Sequence, residues 1–216
     1  MKTRPLILAT LIMSPWMLSA CSSAGPAGDY RPYLAKKNIR TITPENIPLC
    51  HGYGCRLKSY TSLSKAEWKQ IGQFFKTGRT PAQERAGIAK AIGQFERMTG
   101  QKIGTSTDVA GTYAQLGDDQ LDCVDESVNT TVFLELLHQK KLLKHHDISN
   151  IATRIPLLGG GGGWHQTAVL VEQESGTRYA VDSWFHDHGH NADIVALDDW
   201  LYGWHPTNEP PGPAKN

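Results

Sequence analysis

The chain has no surplus of charge of either sign. Its 216 residues carry 22 Lys and Arg against 21 Asp and Glu. Subtracting Lys2 and Arg4, which sit in an N-terminal leader, leaves 20 basic residues against 21 acidic ones, so nothing in the balance points to a nucleic-acid partner. Long apolar runs are also missing. Leu6 to Leu18 is interrupted by Pro15 and falls short of the ~20 residues a membrane-spanning helix needs. No internal repeat is apparent. Cysteine is scarce, four in all, and no second Cys/His pair stands near Cys50 and Cys55 at zinc-site spacing.

The leader is what is there first. Lys2 and Arg4 precede the apolar stretch, and Leu18-Ser19-Ala20-Cys21 closes it. That tetrapeptide resembles the bacterial lipobox, which implies cleavage before Cys21 and a diacylglyceryl group, with palmitate, on its thiol. The resemblance gives a signal peptide over 1–20 and a lipoprotein held to a membrane by its N-terminal lipid. Each buried methylene adds roughly 0.8 kcal/mol to such an anchor. Ser22 after the cysteine favours the outer membrane, its inner leaflet facing the periplasm. A flexible spacer is expected over 21–40, one domain over 41–207, and a disordered tail over 208–216, which holds three prolines.

Three cysteines remain. Cys50 and Cys55 bracket the turn-rich His51-Gly52-Tyr53-Gly54. In an exported protein a local disulfide is expected there, with free thiols as the alternative. That leaves Cys123 as the odd thiol.

Ser64-Lys65-Ala66-Glu67 is a capping box opening a helix with Trp68, Ile71 and Phe75 at helical spacing. Thr80-Pro81 opens a second helix that Gly100 is expected to end, its stripe being Ile88, Ile92, Phe95 and Met98. Thr105 to Gln120 reads as loop. A third helix runs from about Asp122 to His138. Ile148 to Pro156, Gln166 to Glu172 and Arg178 to Phe185 read as strands, the last two joined by a hairpin at Glu174-Ser175-Gly176-Thr177, and Leu197 to Trp204 as a closing helix. Helices followed by a mostly antiparallel sheet make the fold class α+β.

Cys123 begins the third helix, His165 follows the glycine run 159–163, and Asp182 ends the strand after that. In the order Cys, His, Asp, a thiolate can attack an acyl carbon while imidazole shuttles the proton and carboxylate orients the imidazole. The helix dipole and a protonated His165 favour an anion at Cys123 while Asp122, Asp125 and Glu126 oppose it, so a lowered pKa is expected only if Asp122 and Asp125 point to solvent or to other partners. The glycine run reads equally as a site rim or as a connector. Strand pairing is an imperfect match: His165 lies 11 residues before Gly176 and Asp182 six after it, which calls for a bulge or an offset register.

Cys-x-Asp at a helix start, His-x-x-Val on one strand and Val-Asp-Ser-Trp on the next resemble the transglutaminase-like superfamily, in particular the bacterial transglutaminase-like cysteine peptidases. The similarity spans Leu121 to Phe185. It implies a papain-like core, a catalytic helix packed on an antiparallel sheet with extra N-terminal helices, and acyl transfer through a thioester. It implies Cys123 as nucleophile, His165 as base and acid, Asp182 as its orienter, and an oxyanion held by the Cys123 amide and the Gln120 side chain. One branch of the family carries a calcium-holding acid directly after the cysteine. Here that place is Val124, so no cofactor is expected, and Asp118, Asp119, Asp122 and Asp125 are the residues that could attract calcium. A periplasmic or cell-wall protein or peptide is the expected substrate.

Three other readings compete. Cysteine is often inert packing. His186, His188 and His190 alternate along one loop and could bind zinc or copper, against the alternative of a solvated polar loop. An enzyme-like fold could instead be a binding module for an envelope partner, with Trp184, Trp200 and Trp204 lining a groove.

Overall fold

The computed structural model describes residues 28–76, 80–113, 117–155 and 164–207. The leader, Cys21, the glycine run and the 208–216 tail lie outside the described residues. Five helices and two antiparallel sheets alternate along the chain: α1 (Arg31–Lys36), β1 (Ile47–His51), β2 (Leu57–Thr61), α2 (Lys65–Gln73), α3 (Pro81–Ile103), α4 (Cys123–Gln139), β3 (His146–Arg154), β4 (His165–Glu172), β5 (Arg178–Asp182), β6 (Asp193–Ala196) and α5 (Leu197–Leu201). β1 and β2 form a hairpin, and the larger sheet runs β3-β4-β5-β6 in sequence order. The α+β class expected from the sequence is what this order shows. Among the described residues no helix is long and apolar enough to cross a membrane.

The centre of the fold is α4. Fourteen of its seventeen residues are buried, so it is enclosed on all sides rather than laid on the core by one stripe. Its C-terminal half is apolar and packs Val132, Phe133, Leu136 and Leu137 into the main core with α3, where Phe95 stacks on Phe133 at 4.7 Å. Its N-terminal half is polar, and each buried polar group there needs a partner. Ser127 and Thr131 hydroxyls donate back to the Val124 and Ser127 carbonyls. Asn129 closes on the main chain of Cys50, accepting from its amide at 2.7 Å and donating to its carbonyl at 2.9 Å.

Several boundaries differ from expectation. The segment expected as spacer to residue 40 is folded from Gly28 onward: α1 lies within it, and Tyr30, Leu34 and Ile39 belong to the main core. α3 runs through Gly100 and ends at Gly104, whose φ of 84° supplies the left-handed cap. Gly100 is in the helix because His188 packs there, with its Cε1 2.3 Å from where a Cβ would stand. β1, β2 and β6 were not anticipated.

Candidate active site

The capping box that starts α4 positions Cys123. The Asp122 side chain accepts from Val124 N and Asp125 N at 3.0 Å, and Asp125 reaches back to the Asp122 amide at 3.2 Å. A loop reinforces this corner. Cys50 and Cys55 are joined as the expected disulfide. The loop they close gives its Tyr53 and Cys55 amides to Asp125 at 2.8 and 2.7 Å, and its Gly54 amide to Asp122 at 2.9 Å. Tyr53 and Cys55 adopt positive φ (69° and 62°), turning successive amides inward on these carboxylates.

His165 opens β4 and Asp182 closes β5. The pairing Ala168↔Val181 sets Thr167 one step further opposite Asp182, so His165 is its diagonal neighbour on the same face. Of the bulge or offset register expected here, the described β4–β5 ladder shows no bulge and His165 meets Asp182 by a two-residue offset; a register shift occurs in β3, between Ser149 and Ala152. His165 Nε2 and Asp182 Oδ2 are 2.7 Å apart, both side chains 1% exposed. The same oxygen accepts the Trp200 indole N–H at 2.7 Å, and Oδ1 accepts the Trp184 amide at 3.2 Å. An acceptor carboxylate assigns the imidazole proton to Nε2 and leaves a lone pair on Nδ1. Nδ1 is buried and has no hydrogen-bond partner among the described residues. Trp184, Phe185 and Trp200 rings surround the imidazole at 4.6, 5.1 and 5.3 Å.

The Cys123 thiol is addressed by the main-chain amide of Gln166, the residue beside His165, and by its own amide. No hydrogen bond joins the sulfur to His165 among the described residues. Cys123 has no exposed surface. Burial pushes its pKa up to about 12, Asp122 and Asp182 adding to the rise while the two amides oppose it. Asp122 and Asp125 do turn to other partners, the condition on which a lowered pKa was expected, yet removal from water outweighs the helix start and the thiol is neutral.

The Gln120 side chain, expected to help hold the oxyanion, is engaged with the loop before α4. It accepts from Val109 N at 3.2 Å and donates to the Thr107 carbonyl at 2.9 Å, bracing that loop. Among the described residues the histidine loop forms no cluster of metal-ligand spacing; its Asp187 and His190 are exposed while His188 and Gly189 pack on α3. His186 pairs with Asp193 at 2.8 Å, while the Gly189 amide donates to Glu96 at 2.9 Å and the His190 carbonyl packs against Gly93 of α3. Among the described residues the one cluster with metal-ligand spacing is Cys50, Cys55 and Asp125. Its two sulfurs are spent in the disulfide, so it is no donor set. Asp118 is held by Arg56 and Asp119 by Thr107, leaving the four candidate calcium aspartates spread over separate partners.

Sequence reasoning missed Arg154, Tyr33 and the structural role of Trp200. Arg154 stands opposite His165 in the β3–β4 ladder. Tyr33 of α1 donates to the Gln166 side chain at 2.8 Å. An arginine inside a segment that reads as a strand was the one available signal for Arg154; Tyr33 lay in the presumed spacer. Comparison with protein-family models, curated proteins and solved structures finds no match to this chain.

Proposed function

We propose that the protein is a lipid-anchored, cell-envelope cysteine hydrolase or acyltransferase of the transglutaminase-like, papain-like kind. It would act on a peptide or isopeptide amide through Cys123, His165 and Asp182. The observation that supports this best is the state of His165: Nε2 is clamped by Asp182, while Nδ1 carries a buried, unpartnered lone pair beside the Gln166 amide that addresses the Cys123 thiol. An orphaned buried nitrogen calls for an explanation, and a general base awaiting its proton is one.

With the thiol neutral, activation is concerted rather than pre-ionised. His165 Nδ1 takes the S–H proton as sulfur bonds to the carbonyl carbon. The Cys123 amide, at a helix start, stabilises the oxyanion. Collapse expels the amine, which receives the proton from His165, and leaves a thioester. Water, deprotonated by the same nitrogen, then releases the acid and restores the thiol; an amine in place of water gives transfer. The scheme requires the contacts covering Cys123 to part and the sulfur to come within reach of Nδ1, a tightening common when substrate arrives.

The direct test is acyl capture from p-nitrophenyl acetate. Wild type should release p-nitrophenolate and carry acetyl on the Cys123 peptide by mass spectrometry. His165→Ala should slow this at least about 100-fold, and Cys123→Ala should abolish it. Equal acetylation with and without His165 rules the scheme out. Full burial of the sulfur favours a second reading, a non-catalytic envelope-binding protein; unchanged cellular function in Cys123→Ala would establish it.

A further inference from the structure

Arg154 is a buried cation that this scheme leaves unused. It ends β3 directly across from His165, so both side chains leave the same face of the sheet. It is 7% exposed. Its guanidinium lies 4.6 Å from the Trp200 ring and 5.8 Å from that of Phe185, two of the rings that surround His165. Among the described residues its hydrogen bonds leave from Nη1, to the carbonyls of Trp200 at 2.7 Å and Trp204 at 2.8 Å. Nε is buried and reaches no partner among the described residues. Among the described residues no carboxylate forms an ion pair with it.

A guanidinium held out of water with no carboxylate bonded to it is costly: burial lowers its pKa, and the charge on Asp182, which is already committed to His165, Trp200 and the Trp184 amide, opposes that fall. The bonding pattern says what is missing. With Nη1 occupied, the free edge of the fork is Nε with Nη2, two parallel donors that match the two oxygens of a carboxylate. Ile155 and Trp164, the neighbours of Arg154 and His165, are 59% and 43% exposed and offer apolar surface at the same end of the sheet.

We propose that Arg154 recognises a substrate carboxylate. The amide attacked by Cys123 would then belong to a peptide with a free carboxylate close to that bond, one cleaved or joined at its C-terminal residue. This names the substrate class of the cysteine site and rests on that reading. An amide-capped peptide would leave the guanidinium unpaired and be rejected for that reason.

Two alkylating agents of matched shape provide the test: iodoacetate carries the carboxylate, iodoacetamide lacks it. The iodoacetate-to-iodoacetamide rate ratio at Cys123 should be at least about tenfold higher in wild type than in Arg154→Gln, the effect of one charge-assisted contact. Arg154→Lys keeps the charge and a donor for the α5 carbonyls, so it covers the case in which glutamine unfolds the protein; it should lose most of the preference too. An equal ratio in wild type and variants overturns the proposal. Binding read without the thiol separates the two ideas. Tryptophan fluorescence of Cys123→Ala should saturate with N-acetylglycine and not with N-acetylglycinamide, and the response should vanish when Arg154→Lys is added. No response to N-acetylglycine overturns the carboxylate site even if Cys123 is reactive. An Arg154-dependent response beside a Cys123 inert to both reagents and to p-nitrophenyl acetate overturns the cysteine reading alone.

Discussion

At Cys123 two influences on a thiol oppose each other, and their sizes decide the outcome. A helix N-terminus favours an anion by about 0.3–1 kcal/mol at an exposed position. Removing an ionised group from water costs several kcal/mol unless it is paired. Two amides are the compensation available here, and Asp122 and Asp182 add unfavourable charge. The neutral thiol follows, and it makes a prediction. Because the pKa lies at about 12, iodoacetamide labelling of Cys123 should still be accelerating at about pH 10, with no plateau near the ordinary thiol value of about 8.5. Mass spectrometry of the Cys123 peptide across pH reads this, and a plateau below about pH 9 would contradict the account of burial. His165 depends on a different balance. Asp182 takes three donors, from His165, Trp200 and the Trp184 amide. Trp200→Phe removes one and leaves the ring packing. It should slow acyl capture by about tenfold or less, against the much larger loss on deleting the base.

Among the elements, α4 carries the site because partners outside it satisfy its polar half. Asn129 is the clearest case, since both of its bonds go to Cys50 in β1. Asn129→Ala strands a buried amide and a buried carbonyl and should cost about 2–3 kcal/mol in urea unfolding, with the slope unchanged. Gly93 tests the contact between α3 and the histidine loop. Alanine is the better helix former by about 1 kcal/mol, but its Cβ would stand 2.3 Å from the His190 carbonyl oxygen. Gly93→Ala should therefore destabilise by about 1–3 kcal/mol, opposite in sign to propensity. These contacts also explain what could be read in advance. The capping box at Ser64, the helical stretch from Asp122 and the hairpin at Gly176 are local chemistry, and α2, α4 and the β4–β5 pair stand close to where those signals put them. Gly100 looked like a helix stop because its partner His188 is distant in sequence and joins it only in the folded chain. The β1–β2 hairpin escaped notice because Ile47–His51 contains a proline and Leu57–Thr61 is largely polar. Of the site, the order of Cys123, His165 and Asp182 was legible in the sequence. The diagonal approach of His165 to Asp182, the commitment of Gln120 and the place of Arg154 depend on register and loop packing, which no short motif encodes.

At the scale of the whole molecule, the acids enclosed behind α4 form a store of protons. Glu96 of α3 and Glu126 of α4 are buried with the Ser183 hydroxyl between them; Ser183 donates to Glu126 at 2.6 Å. One hydroxyl proton cannot serve two carboxylates, and among the described residues Glu96 Oε1 makes no hydrogen bond. Burial, then mutual repulsion, raises Glu96 well above its ordinary value. Burial, with Asp108 adding, lifts Glu126 to about 8. Asp108 and Asp125 are each lifted to about 7, again chiefly by burial. Arg97, on the same helix as Glu96, donates to the Gly189 carbonyl, and His188, facing Glu96, has its own pKa lowered by burial. Neither neutralises the pair. A carboxyl whose pKa is higher in the folded chain than in the unfolded one, where it sits near 4, binds more protons when folded. Its stabilisation is complete below about pH 4 and is lost as pH rises towards the folded values of about 7 to 8. The melting temperature should accordingly fall between mildly acidic pH and pH 8, the reverse of a protein held by salt-bridged carboxylates. Glu126→Gln keeps an acceptor for Ser183 and removes one of these proton-binding groups. It should flatten that fall and melt higher than wild type at about pH 8; parallel curves for the two proteins from pH 5 to 9 would show that Glu126 does not titrate within the fold.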